Sequence, residues 1–276
     1  VLFTMYGAFL QEFGAGDFFF RLSRRVTAGL TAASAKSAVV FSTLIGMISG
    51  SAAGNVAVTG TFTIPIMKRE GYKAHEAGAV EAVVSTGGQI MPPIMGASAF
   101  IMAEIIGTPY INIMKAGLVP ALLFFTSIFL VVHLQAKRNG ISPPQRSPED
   151  DTTVWQILLG GVPFIIPFVT LIGMMIFGYS PFKAAFYSIV ILVGINILWN
   201  RRLDADFFRR LGRAIAMGAK STVPIAVACA SAGIISGILS VSGLGSKLST
   251  MIIGLSGGVV IVALFFTMIT SIILGM

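Results

Sequence analysis

Long apolar stretches alternate with short basic ones along this chain. Residues 37–67, 75–106, 113–134, 154–177, 182–199, 219–241 and 258–274 are apolar over helix length, and most Lys and Arg lie between them. About 20 such residues span a bilayer as a helix. The period-two alternation of a membrane β-barrel is absent. The pattern predicts an all-α membrane protein, a polytopic helical bundle. Two runs are interrupted near their middles. The first interruption is Ser49-Gly50-Ser51-Ala52-Ala53-Gly54-Asn55, and the second is Ser85-Thr86-Gly87-Gly88-Gln89-Ile90-Met91-Pro92-Pro93. Non-helical backbone at that depth survives only where protein or a water-filled cavity satisfies its N–H and C=O groups.

Charge orients the runs. Arg21, Arg24, Arg25 and Lys36 precede residues 37–67, and Lys68, Arg69 and Lys73 follow them. Lys and Arg concentrate on the cytoplasmic side, so both ends belong there. This run is a predicted re-entrant hairpin with its tip near the midplane. Legs of roughly 12 residues reach about 18 Å into a core ~30 Å thick. Residues 75–106 start basic and exit at uncharged Gly107-Thr108-Pro109-Tyr110, which predicts an outward-crossing broken helix. Its first half should end near Ser85 and its second start at Pro92-Pro93, because Pro lacks a donor and restricts the residue before it. Residues 113–134 return, 154–177 go out, 182–199 come back, 219–241 go out, and 258–274 re-enter. Of the 19 Lys and Arg, all but Lys115, Lys183 and Lys247 fall in segments assigned to the cytoplasmic side.

Two amphipathic segments belong to the membrane surface. After residues 1–13 and the break Gly14-Ala15-Gly16, Phe18, Phe19 and Leu22 oppose Arg21, Arg24 and Arg25. Residues 203–216 set Leu203, Phe207, Phe208, Leu211 and Ile215 against Asp204, Asp206, Arg209, Arg210 and Arg213. Both patterns fit helices lying in the headgroup zone.

The chain divides into residues 1–134 as a first repeat, a polar cytoplasmic linker at 135–153 containing Pro143 to Asp151, and residues 154–276. Gly243-Leu244-Gly245 echoes Gly14-Ala15-Gly16. Gly258 to Leu274, leading to Gly275-Met276, echoes Ser37 to Ile48, leading to Ser49-Gly50-Ser51. Opposite orientations of the two copies predict an inverted-topology repeat whose second copy is truncated. The chain starts inside an apolar helix and stops in mid-run, so it reads as a fragment of a longer membrane protein.

Composition narrows the function classes. Only 11% of residues are charged, against about 25% in soluble domains, and mean hydropathy is +0.89. The lone Cys229 excludes a disulfide framework and a Cys-based metal site. The net charge of +8 does not indicate nucleic acid, because the basic residues sit between spans. His75, beside Glu76, and His133, at a helix end, read as solvated and build no metal site. P-loop and Gly-x-Ser-x-Gly motifs are absent, so an ATPase or an elbow-type hydrolase has no support. Paired interrupted segments instead point to the binding site of a secondary transporter.

Two motifs carry a family resemblance. One is Ser49-Gly50-Ser51-Ala52 followed by Thr63-Ile64-Pro65-Ile66-Met67-Lys68-Arg69. The other runs from Glu81 through Ser85-Thr86-Gly87-Gly88-Gln89-Ile90-Met91-Pro92-Pro93-Ile94-Met95-Gly96 to Ala99-Phe100-Ile101-Met102-Ala103-Glu104. The chain resembles the large membrane subunit of TRAP (tripartite ATP-independent periplasmic) transporters, most of all the fused-permease branch that works with TAXI-type binding proteins. The resemblance spans essentially the whole chain and is specific in residues 46–110. It implies a Na⁺-coupled importer of organic anions in a bacterial or archaeal cytoplasmic membrane. It further implies a periplasmic binding protein that delivers substrate, a small membrane subunit (separate or fused upstream), and elevator-type movement. A Gly-Leu-Pro-Thr hairpin tip would follow Met276.

Site residues follow from the breaks. Na⁺ is a hard cation that takes oxygen ligands, and unwound backbone supplies carbonyls without burying a charge. Half-helix N-termini turn positive ends toward an anion. Ser49, Gly50, Ser51 and Asn55 are the expected hairpin tip, and Ser85, Thr86, Gly87 and Gly88 the facing break. Pro92 and Pro93 end pairing and open carbonyls. The competing explanation is that small residues here only allow close helix packing. Glu81, in the inner half, and Glu104, near the outer end, are candidates as intramembrane carboxylates; the competing explanation is that each simply reaches water. No cofactor beyond the coupling ion is expected. The alternatives are a Na⁺/dicarboxylate symporter or ion antiporter that needs no binding protein and, more distantly, an intramembrane enzyme.

Overall fold

The computed structural model describes residues 2–141, 153–200 and 204–275. They form two compact units, Val1–Val223 and Pro224–Met276. The first unit opens with α1 (Leu2–Glu12) and α2 (Ala15–Thr27), then the hairpin of α3 (Ala33–Ser49) and α4 (Ala52–Arg69). Helix α5 (Ala74–Gly87) leads through a 3-10 turn at Gly88–Ile90 to α6 (Ala97–Ile106) and α7 (Tyr110–Arg138). Helices α8 (Val154–Gly160), α9 (Val162–Ile176), α10 (Pro181–Asn200) and α11 (Ala205–Ser242) follow, then α12 (Leu244–Ser256) and α13 (Val260–Gly275). Among the described residues no strand occurs. Helices α7, α10 and α11 are long and apolar enough to cross a membrane, with α8 and α9 a fourth span if counted as one bent helix. The protein is an all-α polytopic membrane protein.

The hairpin forms where Gly50 adopts φ +61 and Ser51 caps α4, its hydroxyl accepting from the Gly54 amide at 3.2 Å. Its legs have 17 and 18 residues, or about 25 Å each, longer than the legs anticipated from the hydropathy run. At the base, Glu70 folds back and accepts from the Ser34 amide at 3.0 Å, placing a carboxylate at the positive end of α3. Burial pushes the Glu70 carboxyl above the usual carboxylate range, against the downward pull of the Ser34 and Ala33 amides.

Helix α3 lies between two apolar cores. Phe41, Ile45 and Ile48 enter a core with Phe3, Tyr6 and Leu10 of α1 and with Tyr110. Ala35, Ala38 and Val39 enter another with Met67, Val80, Val84 and Phe125. Where α3 passes the 3-10 turn, backbones touch. A Cβ on Gly46 would stand 2.5 Å from the Gly88 Cα, and one on Gly88 would stand 2.6 Å from the Gly46 Cα.

Several boundaries differ from the sequence expectation. Helix α5 continues past Ser85 to Gly87, and the next helix starts at Ala97, not at Pro92-Pro93. The reason is that residues 91–96 are held outside a helix: Met95 has φ +58, and the Gly96 amide donates back to the Gln89 carbonyl at 2.7 Å. The single crossing expected at 154–177 is bent by 75° between α8 and α9. Gly160-Gly161 and Pro163, which lacks an N–H for the preceding turn, account for the bend. Residues 205–216 are not a separate surface helix but the first part of α11, because Gly218 stays helical and packs against Met5. The polar stretch 143–151 and Leu203 lie outside the described residues. Helices α2 and α12 each have 13 residues and each is entered through a left-handed glycine, Gly14 at φ +101 and Gly243 at φ +66.

The backbone contact gives a direct test. Gly46→Ala and Gly88→Ala should each destabilise the protein by about 1–3 kcal/mol. Gly78→Ala, which meets nothing within 4 Å, should be neutral or slightly stabilising. Thermal unfolding in detergent compares the three.

Candidate functional site

The two sequence breaks meet. A Cβ on Gly50 would lie 2.2 Å from the Met95 carbonyl oxygen, and one on Gly96 would lie 3.6 Å from the Gly50 oxygen. The Ile94 amide donates to the Met47 carbonyl at 3.3 Å, so the broken segment satisfies part of the open C-terminal end of α3. Tyr110 of α7 braces the same segment. Its hydroxyl donates to the Pro93 carbonyl at 3.1 Å and reaches the Ile94 carbonyl. Its ring stacks on Phe100 at 4.3 Å between centroids. The result is a crossing of helix ends. The C-terminal end of α3 and the N-terminal ends of α4 and α6 come together, with the 3-10 turn after α5 against Gly46. Such an arrangement places negative and positive dipole ends side by side, which suits a cation and an anion bound near each other.

Beneath the tip, α3, α4 and α5 enclose a carboxylate. Glu81 is wholly buried. Ser42 donates to its Oε1 at 2.8 Å and Ser85 donates to the same atom at 2.9 Å. Thr59 also donates to Oε1, and Thr63 donates to Oε2. Asn55, again fully buried, donates from Nδ2 to the Ser42 carbonyl at 2.8 Å, while its Oδ1 has no hydrogen-bond partner. The Asn55 amide lies close to both glycines of the backbone contact: a Cβ on Gly46 would be 2.9 Å from Nδ2.

The structure thus gathers most of the expected residues and divides them. Gly50 meets Gly96 at the tip beside Ser49 and Ser51, Gly87 and Gly88 pack against α7 and α3, and Pro92 and Pro93 belong to the irregular segment. Asn55 and Ser85 instead belong to the carboxylate cluster. Thr86 is exposed and donates to the Ala82 carbonyl of its own helix at 2.8 Å, so it joins neither group. Glu104 is exposed on α6. Glu81, for which access to water was the competing explanation, is instead fully buried. Ala77, Val80, Glu81, Val84 and Ser85 share one inward helical face, and the carboxylate follows that face. His133, read as solvated, stands 3.2 Å from the Lys36 ammonium, which also covers the Phe129 ring at 4.9 Å.

Sequence reasoning missed Ser42, Thr59 and Thr63. A signal for two of them existed: Asn55, Thr59 and Thr63 recur every four residues, which lines a polar stripe along one face of α4. At the tip, Ser51→Ala should cost about 1 kcal/mol through loss of the helix cap. Hydrogen exchange at the Gly54 amide should speed up accordingly, with core amides of α3 unchanged.

Comparison with known proteins agrees with this architecture. A family model described as "Tripartite ATP-independent periplasmic transporter, DctM component" matches residues 1–276. The chain is 27% identical over 168 residues to "Uncharacterized protein y4mL" of Sinorhizobium fredii, covering 60% of this chain and 39% of that protein. It is 20% identical over 221 residues to "Putative TRAP transporter large permease protein" of Haemophilus influenzae, covering 78% and 49%. With "Uncharacterized protein YgiK" of Salmonella typhimurium it shares 22% identity over 199 residues, covering 72% and 45%. The matched part is less than half the length of each of these relatives. With its full length matched by the family model and its paired helix breaks in contact, the chain belongs to the DctM component family of tripartite ATP-independent periplasmic transporters.

Proposed function

We propose that the chain is the permease part of a Na⁺-driven importer of organic anions, carboxylates above all, in a bacterial or archaeal cytoplasmic membrane. A periplasmic binding protein delivers the substrate, and a small membrane subunit braces the permease. The observation that carries this reading is the meeting of the hairpin tip with the broken segment at Gly50, Met95 and Gly96. The helix N-termini at Ala52 and Ala97 turn positive dipole ends toward an anion. Carbonyls near Ser49 and in residues 91–95 offer oxygens to a cation. The hairpin that is re-entrant by its charge flanks, and the repeat marked by Gly14 and Gly243, fit an inverted-repeat transporter that moves this site across the membrane.

The test is uptake of labelled organic acids into proteoliposomes, with and without an inward Na⁺ gradient and the binding protein. Uptake should need both. Uptake that needs Na⁺ alone would instead identify a symporter independent of a binding protein, and uptake indifferent to the gradient would refute ion coupling. Ser51→Leu and Gly87→Leu should abolish uptake while the protein still inserts. Ser51→Leu fills the tip, and any side chain on Gly87 starts 2.0 Å from the Phe124 ring.

A further inference from the structure

We propose that Glu81, with the hydroxyls of Ser42, Thr59, Thr63 and Ser85, forms a buried binding site for one Na⁺ ion, separate from the contact between the two breaks. A carboxylate taken out of water needs a compensating charge. Among the described residues no Lys, Arg or His forms an ion pair with Glu81. Its hydrogen-bond partners among the described residues are four hydroxyls.

The oxygens have the chemistry of a cation site. Two carboxylate and four hydroxyl oxygens converge from three helices. Hard cations take such ligands. Each hydroxyl holds one proton, and three of those protons have another acceptor in reach. Ser42 reaches the Thr59 hydroxyl at 2.9 Å, Thr59 the Asn55 carbonyl at 2.8 Å, and Thr63 the Thr59 carbonyl at 2.9 Å. Turning to these acceptors frees hydroxyl lone pairs for an ion.

A second observation points the same way. Asn55 Oδ1 is a buried acceptor without a donor, one helical turn from Thr59 on the same face of α4. Acceptor oxygens therefore outnumber the protons available to them. One added proton would satisfy one of them, whereas a cation uses the lone pairs of several at once. A single carboxylate balances a monovalent ion. No group of three His, Cys, Asp or Glu side chains suited to a metal ion occurs among the described residues.

The role of this ion in coupling rests on the Na⁺-driven reading above, but its binding does not. The experiment is equilibrium binding of radiolabelled Na⁺ to the purified protein. It is paired with the shift of the melting midpoint in NaCl against choline chloride at equal ionic strength. Glu81→Gln should lose one bound ion per chain, and Thr63→Ala, which keeps the carboxylate, should weaken that ion by roughly tenfold or more. Glu104→Gln should bind as wild type, and Ser51→Leu should retain the Glu81-dependent ion. Wild-type stoichiometry and affinity in both Glu81→Gln and Thr63→Ala would overturn the proposal. So would stabilisation that follows pH with no dependence on Na⁺, because the group would then carry a proton. Should uptake prove independent of Na⁺ while Glu81-dependent binding persists, the transport reading fails and the site stands.

Discussion

A glutamate side chain removed from water obliges its neighbours to supply what water would have supplied. Around Glu81 that requirement is met by hydroxyls from three helices, Ser42 on α3, Thr59 and Thr63 on α4, and Ser85 on α5 itself. Each donor must approach within hydrogen-bonding distance, so the helices are held in one register. The register in turn brings Gly46 of α3 against Gly88 at the end of α5, where a side chain on either residue would collide with backbone. Polar satisfaction and close packing therefore select the same arrangement.

That arrangement lets the chain break twice inside an apolar region. The hairpin turns at Gly50, whose left-handed backbone and lack of a side chain allow the Met95 carbonyl to approach. Residues 91–96 hand their polar groups to Met47, Gln89 and Tyr110. Each break thus supplies part of the hydrogen bonding that the other needs. The exposed apolar faces of α7, including Leu122, Leu123 and Val131, have the character of surfaces that meet lipid. The polar chemistry is concentrated around α3.

Much of this was legible in the chain. Hydropathy over helix-length runs specifies the helical class, because lipid tolerates no other open backbone. Gly and Pro act locally, so the positions of the two interruptions and of the Gly14 and Gly243 breaks could be read directly. The extent of each interruption could not. Residues 91–96 stay irregular because of hydrogen bonds to distant residues, and α8 and α9 bend where Gly160, Gly161 and Pro163 were read as part of one crossing. Residues 205–216 carry the amphipathic pattern of a separate helix, yet nothing in their backbone stops α11 from continuing.

The site shows the same division. Ser49, Gly50, Ser51, Gly87 and Gly88 announced themselves by small size and by interrupting apolar runs. Ser42, Thr59 and Thr63 did not, because single hydroxyls inside helices are ordinary residues until packing decides what they face. The sequence by itself determined the helices, the breaks and the presence of an acidic residue within an apolar run. Only the tertiary structure decided that this residue is buried rather than wetted. Ser42 and Glu81 are 39 positions apart, and only the packing of α3 between α4 and α5 brings their oxygens together.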